Sequence, residues 1–195
     1  MLKTRTLFET DISKLWVIEK FGPDLFDGLV DLPLVFEPPI MVRGTQCIQH
    51  RNIGFFSDSS QGYRYSGQIA PSIPLAPNPI LVNTIHDVNE VLETSFNGIL
   101  VNRYTNGSKY IGAHSDDESK LDQKRKTVAS LAYGATRIFR VRNKHTKKVV
   151  FDYEHKPRSL LIMEGEFQRE FTHEIPVQAR IKNERISLTF RNHTS

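Results

Sequence analysis

The chain has 195 residues, of which 38% are hydrophobic and 25% are charged, and it carries 11 glycines and 10 prolines. This is the composition of an ordinary globular protein, so disorder, collagen and coiled coil are excluded, and the length favours one domain over residues 1–195. A single cysteine, Cys47, excludes an internal disulfide, and no apolar run reaches the roughly 18 residues that a membrane helix needs. We therefore predict an intracellular protein without a membrane partner, nuclear if it comes from a eukaryote and otherwise cytoplasmic.

Basic residues are concentrated in one part of the chain. The formal net charge is +4, and the sequence pI is near 9.2. Nine lysines and arginines fall between Lys124 and Lys148, with no acidic residue among them. Such a segment is either a solvated hairpin face or a contact for a polyanion, and both interpretations stay open at this point.

The first 78 residues are interrupted by prolines and show no sustained period, so we predict an irregular N-terminal extension. Within it, only Ser13 to Lys20 suggests a helix. Pro79 then begins an amphipathic pattern that predicts a supporting helix over residues 79–96. Apolar side chains recur on one face of that helix, and Phe96-Asn97-Gly98 ends it.

Short β-branched and aromatic runs alternate with turn residues over residues 99–193. Closely spaced strands without intervening helices are typical of a sandwich, barrel or jelly roll. The seven predicted strands are Ile99–Tyr104, Tyr110–His114, Thr127–Tyr133, Ile138–Arg142, Val149–Tyr153, Ser159–Met163 and Ile186–Arg191.

A His-x-Asp pair ends one of these strands. His114 and Asp116 are two positions apart, so on an extended chain both side chains point to the same side and can share one ligand. Alone the pair is a weak signal, because an ordinary polar strand end has the same pattern. His173 adds a second imidazole at another predicted strand edge. Two imidazoles and one carboxylate form the facial triad of non-haem Fe(II), although zinc can use the same three ligands.

Two arginines bracket the last predicted strand. Arg185 and Arg191 are six positions apart and share a side, which is inward if the apolar residues between them face the other way. An arginine directed into a barrel needs an anion, and a small dicarboxylate with one end on the metal provides it by bidentate pairing. Asn102 and Tyr104 place an amide and a phenol on one face of an earlier strand. The arginines favour iron over zinc.

Several segments together resemble the AlkB family of Fe(II)/2-oxoglutarate-dependent nucleic-acid demethylases, in particular its eukaryotic-type alkylated-DNA repair members. The resemblance runs from about Arg43 to Arg191, and the order, spacing and flanks of the motifs agree. The segments are Tyr63-Arg64-Tyr65-Ser66-Gly67, Asn102-Arg103-Tyr104-Thr105-Asn106-Gly107, Ile111-Gly112-Ala113-His114-Ser115-Asp116-Asp117-Glu118, Ser130-Leu131-Ala132-Tyr133-Gly134-Ala135, His173 and Arg185 to Arg191. The resemblance implies a mainly β fold with flanking helices: a double-stranded β-helix (jelly-roll) core over residues 99–193 and a nucleotide-recognition lid within residues 1–78.

The resemblance also implies a complete set of site residues. The ligands of Fe(II) would be His114, Asp116 and His173. The residues that bind 2-oxoglutarate, a cosubstrate together with O₂, would be Asn102, Tyr104, Arg185, Thr189 and Arg191. Contacts to the substrate would come from Tyr63, Tyr65, Asp117, Glu118, Arg43 and Arg51. Contacts to the nucleic-acid backbone would come from Arg140, Arg142, Lys144, Lys147 and Lys148.

Two of the implied substrate contacts have a further physical consequence. Glu118 would meet the polar edge of the damaged base, and an alkylated base carries a positive charge that a carboxylate attracts. Arg43 stands where duplex-repair members carry an aromatic wedge. A guanidinium fills the space left by a flipped base less well than a ring does. We therefore expect a smaller preference for duplex DNA over single strands.

The implied activity is oxidative demethylation of N-methylated bases, of the 1-methyladenine and 3-methylcytosine type, with release of formaldehyde. The implied partner is alkylated DNA, single- or double-stranded, and we expect a monomer. Three alternatives remain: an RNA demethylase on the same scaffold, a 2-oxoglutarate hydroxylase of protein or small molecules, and a catalytically silent jelly-roll binding module. An intact triad with both arginines counts against the silent module, because a pure binder has no need of them.

Overall fold

The computed structural model describes residues 2–42, 44–65, 68–116 and 126–193, with the side chains of residues 64, 65 and 68 outside the description. Strands dominate this part of the chain. The strands are β1 (Lys3–Glu9), β2 (Ser13–Glu19), β3 (Pro39–Val42), β4 (Thr45–Ile48), β5 (Asn52–Phe56), β6 (Gly62–Tyr65), β7 (Gln68–Ile73), β8 (Gly98–Tyr104), β9 (Ile111–His114), β10 (Val128–Gly134), β11 (Arg137–Asn143), β12 (Val149–His155), β13 (Leu160–Gly165), β14 (Phe171–Ile175) and β15 (Arg185–Arg191). The helices are α1 (Phe26–Leu29), α2 (Pro79–Leu92) and α3 (Phe167–Glu170).

Two sheets form the core of the fold. The larger has nine strands in the order β1-β2-β13-β10-β15-β8-β5-β7-β6, and the smaller has four in the order β12-β11-β14-β9. Most of the strand pairs are antiparallel, as in β10 with β15, β15 with β8, and β11 with β14, whereas β5 and β7 pair in parallel near one edge of the large sheet. The hairpin of β3 and β4 forms a separate two-stranded sheet. Two mainly antiparallel sheets of this order confirm the predicted double-stranded β-helix.

The two faces of the large sheet have different partners. On one face, Leu81, Ile85 and Val88 of α2 share an apolar cluster with strand residues such as Leu188. A second cluster joins strands of both sheets, and it includes Leu161 and Phe139 among others. Burial of this kind is worth about 25 cal/mol per Å² of apolar surface. The large sheet is therefore covered by α2 on one side and by the small sheet on the other.

The prediction that residues 1–78 are irregular was wrong, because β1 to β7 and α1 all lie there. Residues 13–20, which suggested a helix, form strand β2, where Leu15 and Val17 are fully buried and Lys14 is exposed. This two-residue alternation is that of a sheet, and β2 pairs with β1 and β13 on its two sides. Tertiary pairing outweighed a short and ambiguous local signal.

Other predicted elements agree with the structure to within a few residues. Helix α2 ends at Leu92 rather than at residue 96, because Glu93 adopts a left-handed conformation with φ of 50°. All seven predicted strands are present, with shifts of one or two residues at their ends. The strand around His173, β14, pairs with β11 and β9. Among the described residues, no helix has the length and apolar character that crossing a membrane requires.

Candidate functional site

A narrow cavity lies between the two sheets. The large sheet lines it with the alternate residues of β15 that do not face α2, together with Asn102 and Tyr104 of β8. The small sheet contributes His114 of β9, Phe139 of β11 and His173 of β14. The predicted inward face of β15 is confirmed by this lining, which includes Arg185, Ser187, Thr189 and Arg191. The sequence thus brings all three predicted metal ligands and all five predicted cosubstrate contacts to one cavity.

His114, Asp116 and His173 form a compact cluster at one end of this cavity. The pairing of β9 with β14 places His114 directly opposite His173. His114 Nε2 is 3.7 Å from Asp116 Oδ1, and His173 Nε2 is 3.6 Å from Asp116 Oδ2. One ligand atom from each residue lies within 4.8 Å of the others. One ion with bonds of about 2 Å can bridge such a set after small adjustments.

A hydrogen bond to His114 and the burial of both rings prepare the two imidazoles as ligands. His114 Nδ1 donates to the carbonyl oxygen of Gly112 at 2.9 Å, which places the proton on Nδ1 and leaves Nε2 able to bind a metal. Burial lowers the pKa of His114, and the charge of Asp116 opposes that effect only in part. Burial, assisted by His114, lowers the pKa of His173 to about 3. Both rings are therefore neutral at pH 7, which is the form that coordinates a metal.

The carboxylate of Asp116 is held as an anion. Burial alone would raise its pKa, but the positive charge of Arg191, with His173 and His114, keeps the pKa below the usual value. Arg191 Nη2 donates to Asp116 Oδ1, and both side chains are almost completely buried. Asp116 Oδ2 has no hydrogen-bond donor among the described residues. An unsatisfied buried carboxylate oxygen facing two neutral imidazoles fits a divalent cation.

Two hydrogen bonds fix the segment after strand β9, which carries Asp116. The backbone N–H of Asp116 donates to Gln168 Oε1 at 2.9 Å, and Ser115 Oγ donates to the carbonyl of Phe171 at 2.9 Å. Gln168 belongs to α3, so this short helix positions a metal ligand. Sequence reasoning missed Gln168 because a glutamine in a short polar segment carries no distinguishing signal.

Arg185 lies at the other end of the cavity and is 1% exposed. Its guanidinium lies 5.4 Å from the ring centroid of Tyr104, and Nη2 donates to Nδ1 of His155 at 3.1 Å. Nε and Nη1 have no acceptor in the described part of the chain. Burial lowers the pKa of Arg185 to about 10, so it is still a cation at pH 7. Two orphaned N–H groups on a buried cation fit one carboxylate of a small dicarboxylate whose other end reaches the metal.

The other predicted cosubstrate residues line the same cavity with distinct neighbours. Asn102 is buried, and its Oδ1 accepts from Nε of Arg51 at 2.7 Å. Tyr104 is 2% exposed and forms the floor under Arg185. Thr189 is almost fully buried beside the cavity. Arg51, predicted to contact substrate, is itself buried and lies where the cavity meets a larger groove.

An open groove of about 810 Å³ adjoins the cavity. His114 and Arg51 line both, so the groove leads directly to the metal cluster. Its walls come from the β3–β4 hairpin, from residues 110–115 and from Lys144. His50 and Tyr110 stack at its edge with ring centroids 4.7 Å apart and an interplanar angle of 20°. Sequence reasoning missed this pair, since the two residues are 60 positions apart.

The predicted nucleotide contacts are described only in part. Tyr63 is 3% exposed, packs on Phe55, and lies under the guanidinium of Arg191 at 4.8 Å. Tyr63 therefore lines the cavity and also packs in a small apolar cluster. The predictions for Arg43, Asp117, Glu118 and the side chain of Tyr65 lie outside the described residues.

The basic segment is less exposed and less positive than its sequence indicates. Arg137 is 1% exposed and buries its guanidinium against the carbonyls of residues 106, 107, 109 and 176 and Gln178 Oε1. Arg140 pairs with Asp152, and Arg142 pairs with Glu174. These acids come from neighbouring strands, which a count along the chain does not see. Lys147 and Lys148 are exposed in the turn after β11, beside Lys144.

We expect the free energy of unfolding to fall as the pH is lowered from about 6.5. His155 is fully buried, and burial together with the charge of Arg185 lowers its pKa to about 3. The folded state keeps this ring neutral, whereas the unfolded chain binds a proton below about pH 6.5, so acid favours unfolding by about 1.4 kcal/mol per pH unit. Denaturant unfolding between about pH 4.5 and 7 should show a flatter dependence for H155N than for the wild type. An equal pH dependence of the free energy of unfolding in both proteins would contradict the lowered pKa of His155.

Comparison with known proteins relates this geometry to a family. The family model of the 2OG-Fe(II) oxygenase superfamily matches residues 24–191. The chain is 36% identical over 131 residues to "Alpha-ketoglutarate-dependent dioxygenase alkB homolog 3" of Bos taurus, covering 61% of this chain and 46% of that protein. It is 30% identical over 178 residues to "DNA oxidative demethylase ALKBH2" of Arabidopsis thaliana, covering 79% of this chain and 56% of that protein.

A solved structure and the relative lengths add two facts. The structure of OsALKBH1 matches with a TM-score of 0.60 at 20% identity, covering 97% of this chain and 100% of that one, and it shows that the two share a fold. The chain spans about half the length of the curated relatives that it matches.

Proposed function

The chain belongs to the 2OG-Fe(II) oxygenase superfamily and, within it, to the AlkB family, and on this premise we propose that it is a dioxygenase that demethylates N-methylated bases in DNA. The substrates are bases of the 1-methyladenine and 3-methylcytosine type, and formaldehyde is released. The relatives named as DNA oxidative demethylases support DNA as the substrate. We further propose that the protein acts as a monomer inside the cell, in the nucleus of a eukaryote or in the cytoplasm otherwise.

One observation carries the proposal: a single cavity joins a His-Asp-His cluster to a buried arginine with orphaned donors. His114, Asp116 and His173 supply the donor set that suits Fe(II). Arg185 supplies the cation that a carboxylate of 2-oxoglutarate would bind. A metal site for structure alone would need no second anion site, and a carboxylate-binding site alone would need no metal cluster.

In this reaction the protein's own residues would bind the metal and 2-oxoglutarate and orient them. When bound, Fe(II) with O₂ and 2-oxoglutarate supplies the oxidation of the methyl group, which leaves as formaldehyde. Arg191 keeps the Asp116 carboxylate ionised and fixes its orientation. Gln168 holds the backbone at Asp116, and Arg185 would hold the far carboxylate of the cosubstrate. The two strand-borne histidines are held in place by the pairing of β9 and β14.

The groove beside His114 is where we place the methylated base. A methyl group on the pairing edge is out of reach inside a duplex, so the base must leave the stack, which costs least where pairing is already broken. The groove has room for a nucleotide and ends at the metal cluster. In this proposal Glu118 and Asp117 meet the cationic edge of the base, and Arg51, Tyr63, Tyr65 and Arg43 supply the other substrate contacts.

A formaldehyde-release assay tests the proposed function. The purified chain is incubated with Fe(II), 2-oxoglutarate and O₂ on single-stranded DNA carrying 1-methyladenine, on the same strand in a duplex, and on methylated RNA. Unmethylated DNA is the control. We expect formaldehyde from the methylated DNA and not from the control. Formaldehyde release from methylated RNA alone would mean that the substrate is RNA and not DNA. Turnover of 2-oxoglutarate without any demethylation would overturn the proposal.

Salt dependence should identify the lysines that contact the nucleic-acid backbone. We place the phosphate contacts on Arg140, Arg142, Lys144, Lys147 and Lys148, and we test the three lysines because replacing either arginine would also break its pair with Asp152 or Glu174. Each lysine that contacts a phosphate steepens the dependence of log affinity on log salt by about 0.9 in duplex DNA. Replacing the three by alanine should flatten the slope by up to about 2.7.

A matched control changes the same charge elsewhere. Lys3, Lys14 and Lys20 are exposed on or beside the β1–β2 hairpin, and none of them lines the groove. Their replacement by alanine should leave the slope within about 0.5 of the wild-type value. Equal flattening by both triple variants would show that overall charge, rather than this turn, sets the salt dependence.

A further inference from the structure

His155, at the end of β12, lies next to the candidate anion site without lining it. Its ring is fully buried, and Nδ1 lies 3.1 Å from Nη2 of Arg185. On the other side, Nε2 lies 2.9 Å from the carbonyl oxygen of Ser159. Neither the triad nor the predicted cosubstrate contacts include this residue. A buried histidine between a carbonyl and a guanidinium is under a chemical constraint that decides where its proton lies.

Two hydrogen-bond partners of His155, the Ser159 carbonyl and the Arg185 guanidinium, require the same tautomer. A carbonyl oxygen can only accept, so Nε2 must carry the proton that it donates to Ser159. A guanidinium can only donate, so Nδ1 must be unprotonated and accept from Arg185. A doubly protonated ring would place an N–H against another N–H and a cation against a cation. The ring is therefore neutral, with one defined donor and one defined acceptor.

A neutral acceptor has a specific advantage beside Arg185. A carboxylate at this position would neutralise the guanidinium and compete with an incoming anion, whereas a lysine would repel the guanidinium. An apolar residue would leave a third nitrogen of a buried cation without an acceptor, since Nε and Nη1 already have none among the described residues. His155 satisfies one donor, fixes the guanidinium over the Tyr104 ring and leaves its positive charge available.

We propose that His155 is a positioning residue for 2-oxoglutarate: its neutral Nε2–H tautomer accepts a hydrogen bond from Arg185 and so orients the guanidinium for the far carboxylate of the cosubstrate. This inference rests on the proposed function, because it requires that 2-oxoglutarate binds at Arg185. The effect belongs to cosubstrate binding. His155 reaches the reaction only through Arg185, so turnover at saturating 2-oxoglutarate should change little.

Leucine and asparagine form a matched pair of replacements, because the two side chains have nearly the same shape. Both H155L and H155N lose the donor to Ser159, but only asparagine keeps an acceptor, Oδ1, near the position of Nδ1. Their difference therefore isolates the hydrogen bond to Arg185 from packing and stability. A purely structural role would lower the thermal stability of the two variants and leave their affinity for 2-oxoglutarate unchanged.

The experiment is an equilibrium titration of each protein with 2-oxoglutarate in the presence of Mn(II), by calorimetry without O₂ or nucleic acid. We expect H155L to bind about 10-fold more weakly than the wild type and H155N to stay within about 3-fold of it. In the demethylation assay, the KM for 2-oxoglutarate should rise by the same factor in H155L while kcat stays within about 2-fold. Equal affinities in H155L and H155N would overturn the inference. Absence of binding by the wild type would instead overturn the proposed function.

A second measurement needs no variant to fold. In wild-type protein with ¹⁵N-labelled histidine, the ring-nitrogen resonances of His155 should show a protonated Nε2 and an unprotonated Nδ1, unchanged down to about pH 5. Addition of 2-oxoglutarate should shift the Nδ1 resonance, because the charge on its donor is then paired. A protonated Nδ1, or an Nδ1 resonance insensitive to saturating 2-oxoglutarate, would contradict the proposed tautomer or its role.

Discussion

Replacing His114 with alanine is expected to lower turnover by at least about 100-fold while leaving the free energy of unfolding within about 1 kcal/mol of the wild type. His114 lies at the junction of cavity and groove, so its ring serves as a ligand more than as packing. Formaldehyde release measures turnover, and denaturant unfolding measures stability. His86 on α2 is the matched control, since its side chain is 76% exposed and lines neither the cavity nor the groove. Wild-type turnover in H114A would exclude the assigned metal cluster.

Asp116 should behave differently, although it belongs to the same cluster. Its carboxylate is the partner of Arg191, and both side chains are buried. Alanine at this position removes one partner of this buried ion pair, and such a loss costs about 3–5 kcal/mol. Loss of activity in D116A therefore mixes lost metal binding with lost stability. D116N keeps an acceptor for Arg191 and removes only the negative charge, so it is the cleaner test of the ligand role.

Replacing Arg185 with methionine is expected to raise the KM for 2-oxoglutarate by at least about 100-fold and, at the same time, to make the folded protein more stable. The first effect follows because Arg185 is the buried cation with orphaned donors in the cavity. The second follows from the pKa of about 10, which burial lowers from the ordinary value. A lowered pKa on a cation means that the fold disfavours the charged form, here by about 3 kcal/mol at neutral pH. An apolar side chain of similar volume avoids that cost.

Arg137 is the matched control for this substitution, because it is equally buried and also lies against the Tyr104 ring. Its guanidinium, however, donates to four carbonyl oxygens and to Gln178. R137M leaves these acceptors unsatisfied and should lower stability by at least about 3 kcal/mol. Thermal unfolding and KM are measured for both variants. Destabilisation of R185M to the extent of R137M would mean that Arg185 is a structural residue.

The sequence predicted the site better than it predicted the N-terminal half. Metal-ligand chemistry restricts which residue types can form the triad. In β15, the period of two places Arg185 and Arg191 on one face and Ile186 and Leu188 on the other, so the direction of these side chains followed from spacing alone. Residues 13–19 carried no such constraint. Their place as strand β2 depends on hydrogen bonds to β13, which is more than 140 positions away, and no local window contains that information.

Long-range pairing also explains what sequence reasoning missed inside the site. His155 became relevant only because β12 ends beside Arg185, and Gln168 only because α3 folds back against Asp116. Arg140 looked like a free cation along the chain, yet the neighbouring strand supplies Asp152 opposite it. In each case the partner comes from another element, so the role follows from sheet register and not from composition.

Anaerobic visible absorption tests most directly whether one cavity holds both Fe(II) and 2-oxoglutarate. Titration of the purified chain with Fe(II) and 2-oxoglutarate without O₂ should produce a weak charge-transfer band that saturates with both components. The band should be absent in H114A and should require at least about 100-fold more 2-oxoglutarate in R185M. A wild-type protein without the band at saturating metal and cosubstrate, or an R185M variant with wild-type saturation, would contradict the account.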